Sequence, residues 1–320
     1  NKTKIIIAVL IIVLAAASLT SRFLGLWRDR ILAGTFGAGN ELDIYFAAFR
    51  LPDLVYNLLV LGALYAAFIP VFTSYAFSAE DKNSENAKIN SEAWYLANGV
   101  LNLMMAGLVI IGGIFFLAAP LLVPLMVPGF SNEKLHLTVQ LTQLMFLSPI
   151  FLGLSTVLSG ILQSFKKFFV YSLAPIMYNL GIIFGALVLT RFWGLYGLAA
   201  GVVLGAILHM LIQLPSVLHS GWRYQWILDF SHQGIKKIIK LSIPRTLSLS
   251  VNQLNFVGLT FIASGLVAGS LAIFNFAYNI FSFPLGIVAA SFAVAAFPTL
   301  SLRAHQKDWS SFAKSFSSAF

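Results

Sequence analysis

The chain has 320 residues, 59% of them hydrophobic and 10% charged, with a formal charge of +9 and a mean hydropathy of +0.87. Soluble domains carry about 25% charged residues, so the composition excludes a water-soluble fold. The basic excess does not mark a nucleic-acid binder, because the bases stand singly or in pairs at the ends of apolar runs, where the positive-inside rule puts them.

A helix crosses the hydrocarbon with about 20 apolar residues. Long stretches without a charge (Ala93 to Asn132, Leu135 to Phe165, Phe192 to Trp222 and Thr246 to Leu302) hold one or two crossings each. The expected fold class is an all-α polytopic membrane protein of about eight spans, at about 5–33, 43–77, 93–119, 137–165, 168–190, 194–218, 237–264 and 270–300. The apolar start, Ile5 to Leu14, continues into charged sequence without a small-residue cleavage site. It reads as the first span, not a removable signal peptide.

The first two spans hold the charges that need explaining: Arg22, Arg28, Asp29, Asp43 and Arg50. An arginine at mid-membrane costs about 2.5–3.5 kcal/mol, and such residues face a bundle interior or a watery cavity, paired or awaiting an anion. Arg22 and Asp29 are seven apart and share a face of the first helix; Asp43 and Arg50 share a face of the second. Seven residues is about 10.5 Å of helix rise, too far for pairing within one helix. Partners must therefore come from other helices, water or substrate. Pro52 removes a backbone bond and should kink the second helix close to Arg50. Arg30 is expected at the outer interface, with its charge snorkelling; Arg28 and Asp29 fit either that boundary or the cavity.

Further along, "FGAGN" (36–40) lacks the lysine and preceding strand of a phosphate loop and reads as a plain turn. "SAEDKNSENAKINSE" (78–92) is the clearest extramembrane loop, and "GLYGLAAGVVLGA" (194–206) reads as a close-packing face between helices. Arg245 follows Pro244 near the start of the seventh span, as an interfacial residue or part of a secondary cavity. Asn252, Gln253 and Asn255 on that span, and Asn275 and Asn279 on the eighth, either line the cavity or bond between helices. The five histidines show no ligand spacing, and the chain has no cysteine. No nucleophile–base–orienter set appears, so neither a metal, a cofactor nor an enzyme activity is expected.

With the N-terminus in the cytoplasm, 13 of the 20 bases fall inside and only Arg30, Lys134 and Arg191 outside; four lie within spans. That split sets the expected orientation. The stretch 42–74 resembles 271–302: each has an aromatic helix, a mid-helix proline (Pro52, Pro284), then Ala-Ala-Phe and a second proline (Pro70, Pro298). A parallel repeat of this kind implies two six-helix lobes, a transporter plan. The expected organisation is an N-terminal lobe at 1–218, a cytoplasmic linker at 219–236, and the first two helices of a second lobe at 237–320. On that reading the natural protein continues beyond Phe320 by at least four spans.

"SRFLGLWRDRILAGTFGAGNELDIYFAAFRLPDL" (21–54), with "AAFIPVF" and "SFPLGIVAASFAVAAFPTLS", resembles the MurJ (MviN) family of lipid II flippases, within the multidrug, oligosaccharidyl-lipid and polysaccharide exporter class. The resemblance implies a bacterial inner-membrane protein that moves the lipid-linked peptidoglycan precursor to the outer leaflet by alternating access. It places Arg22, Arg28, Asp29, Asp43 and Arg50 on charged positions of the family's central cavity. It implies the lipid-linked pyrophosphate and membrane lipids as partners, with cell-wall synthesis proteins as further candidates. The alternative is export of another polyprenyl-pyrophosphate oligosaccharide or a small molecule. Where the family usually has arginines after the Leu-Pro step, this chain has Tyr56 and Asn57; Tyr278, Asn279 and Ser282 likewise replace charged positions in the eighth span.

Overall fold

Apolar runs of this length must satisfy their own backbone groups in lipid, and helices do so within one segment. The computed structural model describes residues 2–61, 67–77 and 91–285, together with positions 313 and 317, and among the described residues no strand occurs. Helix α1 (Lys2–Phe36) stops at Gly37, which adopts φ +70° and donates its N–H to the Ala33 carbonyl at 2.9 Å. Glycine suits that left-handed terminal position, so "FGAGN" is the turn into α2 (Asn40–Tyr56). Pro52 lies inside α2, and the helix widens directly into a π-helical turn, Asn57–Leu61. Then come α3 (Phe68–Ala76), α4 (Ser91–Met126), α5 (Asn132–Met145) and α6 (Leu147–Ser164). Next, α7 (Phe168–Phe184) runs through a second π turn (Gly185–Leu189) into α8 (Thr190–Trp193). The rest comprises α9 (Leu195–Leu211), α10 (Leu214–Leu218), α11 (Gln233–Ser264) and α12 (Ser270–Leu285).

Five of these stretches are long and apolar enough to cross a membrane: Ser91–Met126, Asn132–Ser164, Phe168–Trp193, Leu195–Leu218 and Gln233–Ser264. They coincide with the third to seventh expected spans. The chain is an all-α polytopic membrane protein. The expected loop at 78–90, the middle of the second span (62–66) and the second half of the repeat from 286 onward lie outside the described residues. Residues to Ala272 form one compact unit and those from Ile273 another.

Small residues let α7 and α9 approach at backbone contact. A Cβ added to Gly201 would come within 2.5 Å of Gly185 Cα, and Gly181 meets the Gly205 backbone as Gly197 meets that of Leu189. The glycines recur every four residues on both helices, in antiparallel register, as expected for helix pairs packed without side chains between them. At one end of the bundle, Phe68, Phe72, Leu96, Ile161, Leu162 and Trp222 form a buried core, with Phe68 and Phe72 stacked at 5.2 Å.

The segment after α10 is not a loose tether. Asn98 of α4 donates Nδ2 to the Arg223 carbonyl (3.0 Å) and accepts at Oδ1 from Trp222 Nε1 (3.1 Å) and the Gln225 N–H (3.2 Å). One turn on, Asn102 Nδ2 donates to the carbonyls of Gln225 (2.9 Å) and Ile227 (3.1 Å). Two asparagines thus stand in for a backbone partner. Asn98→Leu strands a carbonyl and two N–H donors at about 1–3 kcal/mol each. We expect it to speed proteolysis within 219–233 markedly, while Leu117→Ala, an exposed position further along α4, leaves the rate unchanged.

Candidate functional site

Four helices bring the buried charges together: α1, α2, α7 and α11. Arg28 donates Nε (3.0 Å) and one terminal nitrogen (2.7 Å) to the same Asp29 oxygen, and its other terminal nitrogen to Asn179 Oδ1 on α7 at 3.1 Å. Adjacent residues point about 100° apart on a helix, yet the long guanidinium stem folds back far enough to pair. Asn179 is itself oriented, donating Nδ2 to the Pro175 carbonyl at 3.0 Å. That carbonyl lies one turn before it, so Asn179 Oδ1 is left facing the arginine.

Two partners of Arg50 are neutral. Its Nε donates to Thr260 Oγ1 on α11 at 2.8 Å, and the guanidinium lies over the Phe256 ring at 5.3 Å. A cation over an aromatic face gains about 0.5–2 kcal/mol without losing its charge. The positive charge is therefore anchored but not cancelled by these two contacts. Arg22 is half-buried on α1.

Asp43 finds its partners on another helix, in the backbone. It is 4% exposed, and its two oxygens accept from the N–H groups of Gly269 (2.7 Å) and Ala272 (2.9 Å). Those amides open α12, so the carboxylate caps that helix from 226 residues away in sequence, where its charge complements the dipole. Gly269 adopts φ +93° and packs its Cα against the Ala38 carbonyl. Only glycine meets both demands. Nearby, Gly129 donates its N–H to Ser264 Oγ at 3.2 Å.

Arg245 and Asn252 are exposed on α11, and Asn279 belongs to the second unit, on α12 beyond Ala272. His209 is engaged in a buried network, with Nδ1 2.6 Å from Ser155 Oγ and Gln213 bridging Ser155 to Ser159.

The structure adds residues that spacing alone does not single out. Asp53 lies one turn after Arg50, and the two act on each other electrostatically. Tyr45 of α2 and Tyr178 of α7 stand within electrostatic reach of both Arg28 and Asp53, joining the two clusters. Asp53 is legible in "FRLPDL" only as an acid three residues from Arg50, a helical neighbour that the seven-residue arithmetic passes over. A set of guanidinium groups, hydroxyls and amides within apolar helices is chemistry for holding phosphate oxygens, since arginine's planar fork matches them.

A family model described as "Lipid II flippase MurJ" matches residues 32–320. A probable lipid II flippase MurJ of Rhizobium tropici is 33% identical over 300 residues, covering 90% of this chain and 54% of that protein. The lipid II flippase MurJ of Burkholderia cenocepacia is 28% identical over 294 residues, covering 90% and 55%. Among solved structures, a lipid II flippase MurJ in an inward closed conformation superposes with a TM-score of 0.71 at 25% identity, over 93% of this chain and 59% of that one. An inward-facing multidrug transporter of the MATE family shares the fold, with a TM-score of 0.66 at 17% identity over 94% and 66%. The chain spans about half the length of the curated relatives it matches.

Proposed function

The chain belongs to the MurJ family of lipid II flippases, and on that premise we propose that it serves to move lipid II from the inner to the outer leaflet of the bacterial cytoplasmic membrane by alternating access. In this reading residues 1–218 are the N-terminal lobe, 219–236 the cytoplasmic linker, ending in the first turn of α11, and the rest of α11 with α12 the start of the second lobe, with the N-terminus in the cytoplasm. Arg22, Arg28 and Arg50 line the cavity and bind the pyrophosphate, while the lipid tail stays in the bilayer. Asp29 and Asn179 orient Arg28, and Thr260 and Phe256 orient Arg50. Asp43 acts through the fold, as the cap of α12. The observation that carries the proposal is Arg50, a cation set among apolar helices and oriented by a hydroxyl and a ring, neither of which neutralises it.

The test is rescue of cells depleted of their own flippase. Each lost guanidinium–phosphate contact is worth about 1.5–3 kcal/mol, so Arg22→Ala with Arg50→Ala should lower precursor export about 100-fold or more and abolish rescue. Full rescue by the double variant, at wild-type abundance, overturns the assigned roles. A second reading, export of another polyprenyl-pyrophosphate, draws support from Tyr56 and Asn57. Both are neutral and already bonded, to Thr156 Oγ1 at 3.4 Å and the Asp53 carbonyl at 2.7 Å. Competition among pyrophosphate lipids of different head groups separates the two.

A further inference from the structure

We propose that Asp53 is a proton-binding site whose occupancy sets how much of the Arg50 charge is presented to an anionic ligand. Of the three aspartates on α1 and α2, two are engaged by hydrogen-bond donors. Asp29 is held by Arg28, and Asp43 by two backbone amides. Asp53 is the exception: it is half-buried, and no described residue donates a hydrogen bond or ion pair to its carboxylate. Only its backbone carbonyl is used, by Asn57. The residue sits between Pro52 and the π turn at Asn57–Leu61, where the ordinary helical bonding of α2 is interrupted. Broken helix at membrane depth is tolerated where it borders a cavity or is buried in protein.

The titratable groups within electrostatic reach of Asp53 stand on α2 and α7, with α1 behind them. On α2 itself these are Arg50, Tyr45 and Tyr56; on α7, Tyr178; and on α1, Arg28 and Asp29, reached through Tyr45. Behind them, Tyr171 acts on Tyr56, Thr156 of α6 touches the Tyr56 hydroxyl, and His209 of α9 lies edge-on to Tyr178 at 6.5 Å. Arg50 is the cation one turn away, and Thr260 and Phe256 hold it in place.

An ionised carboxylate without donors is expensive away from water, and taking up one proton removes its charge. The step is a simple balance: carboxylate plus proton gives carboxylic acid, with no other bond broken and no electron moved. The Arg50–Asp53 pair then changes from net zero to net +1. An anion near Arg50 favours the protonated form, and by linkage the proton tightens the anion to the same degree. The inference deepens the pyrophosphate reading and rests on it for the identity of the anion.

The experiment uses the intact gene product, purified, with a soluble short-chain alkyl pyrophosphate as probe. Infrared difference spectra across about pH 5 to about pH 8 should show a protonated-carboxyl band that forms on acidification. The band should be absent in Asp53→Asn and kept in Asp53→Glu. Calorimetry on the same proteins should show the ratio of wild-type to Asp53→Asn affinity rising about tenfold toward acid pH, the variant correcting for the probe's own titration. An unchanged band in Asp53→Asn, or a constant affinity ratio, overturns the proposal. Loss of the band with no probe binding by either protein overturns the pyrophosphate reading and supports the proton site.

Discussion

Gly201→Leu should abolish accumulation of folded protein in the membrane. The Gly201 Cα faces backbone, not flexible side chains: a Cβ there would lie 2.5 Å from Gly185 Cα and 3.1 Å from the Gly181 carbonyl oxygen. Relief requires α7 and α9 to move apart over several turns, because Gly181, Gly197 and Gly205 keep equally close approaches. Overpacking a tight interior by a few methylenes already costs about 1–3 kcal/mol, and leucine adds a whole side chain at the closest point. Gly201→Ala should therefore melt lower but still fold. Gly113→Ala on α4, where nothing lies within 4 Å, should be neutral or slightly stabilising. Size-exclusion profiles and thermal melts of the solubilised proteins check this. A wild-type profile for Gly201→Leu would mean the crossing is not in backbone contact.

Asp43→Ala is expected to loosen the start of α12 by about 3–6 kcal/mol, at about 1.5–3 kcal/mol for each of two charge-assisted bonds. Its buried position denies the freed amides of Gly269 and Ala272 an easy replacement by water. Asp43→Asn keeps one acceptor oxygen but loses the charge that opposes the helix dipole, so it should lose about half as much. Hydrogen exchange at residues 269–272 reads the effect directly. Exchange rates at those amides equal to wild type in Asp43→Ala would refute the capping role.

Helices and spans were legible because lipid imposes a one-dimensional rule: length and hydropathy decide a crossing wherever neighbours are apolar. The antiparallel glycine contacts were legible in "GLYGLAAGVVLGA" as a tendency, but their partners on α7 were not. Side-chain partners were mostly beyond reach. Seven-residue spacing places Asp43 and Arg50 on one face, but Asp43 turns to amides 226 residues on and Arg50 to a threonine 210 residues on. Periodicity reports which side of a helix a residue occupies, not which loop returns to meet it. Arg28 and Asp29 were missed as a pair for the opposite reason. Backbone geometry separates neighbours, while a long, flexible stem closes the gap.

The turn between α11 and α12 is gripped at three points: by Gly129 against Ser264, by Ala38 against Gly269, and by the Asp43 carboxylate. Two of the grips run through side chains, the Ser264 hydroxyl and the Asp43 carboxylate, and the third is backbone packed directly on backbone. If the lobes rock as proposed, this clasp must let go as a whole. Weakening any one grip should then shorten the dwell time of the clasped arrangement.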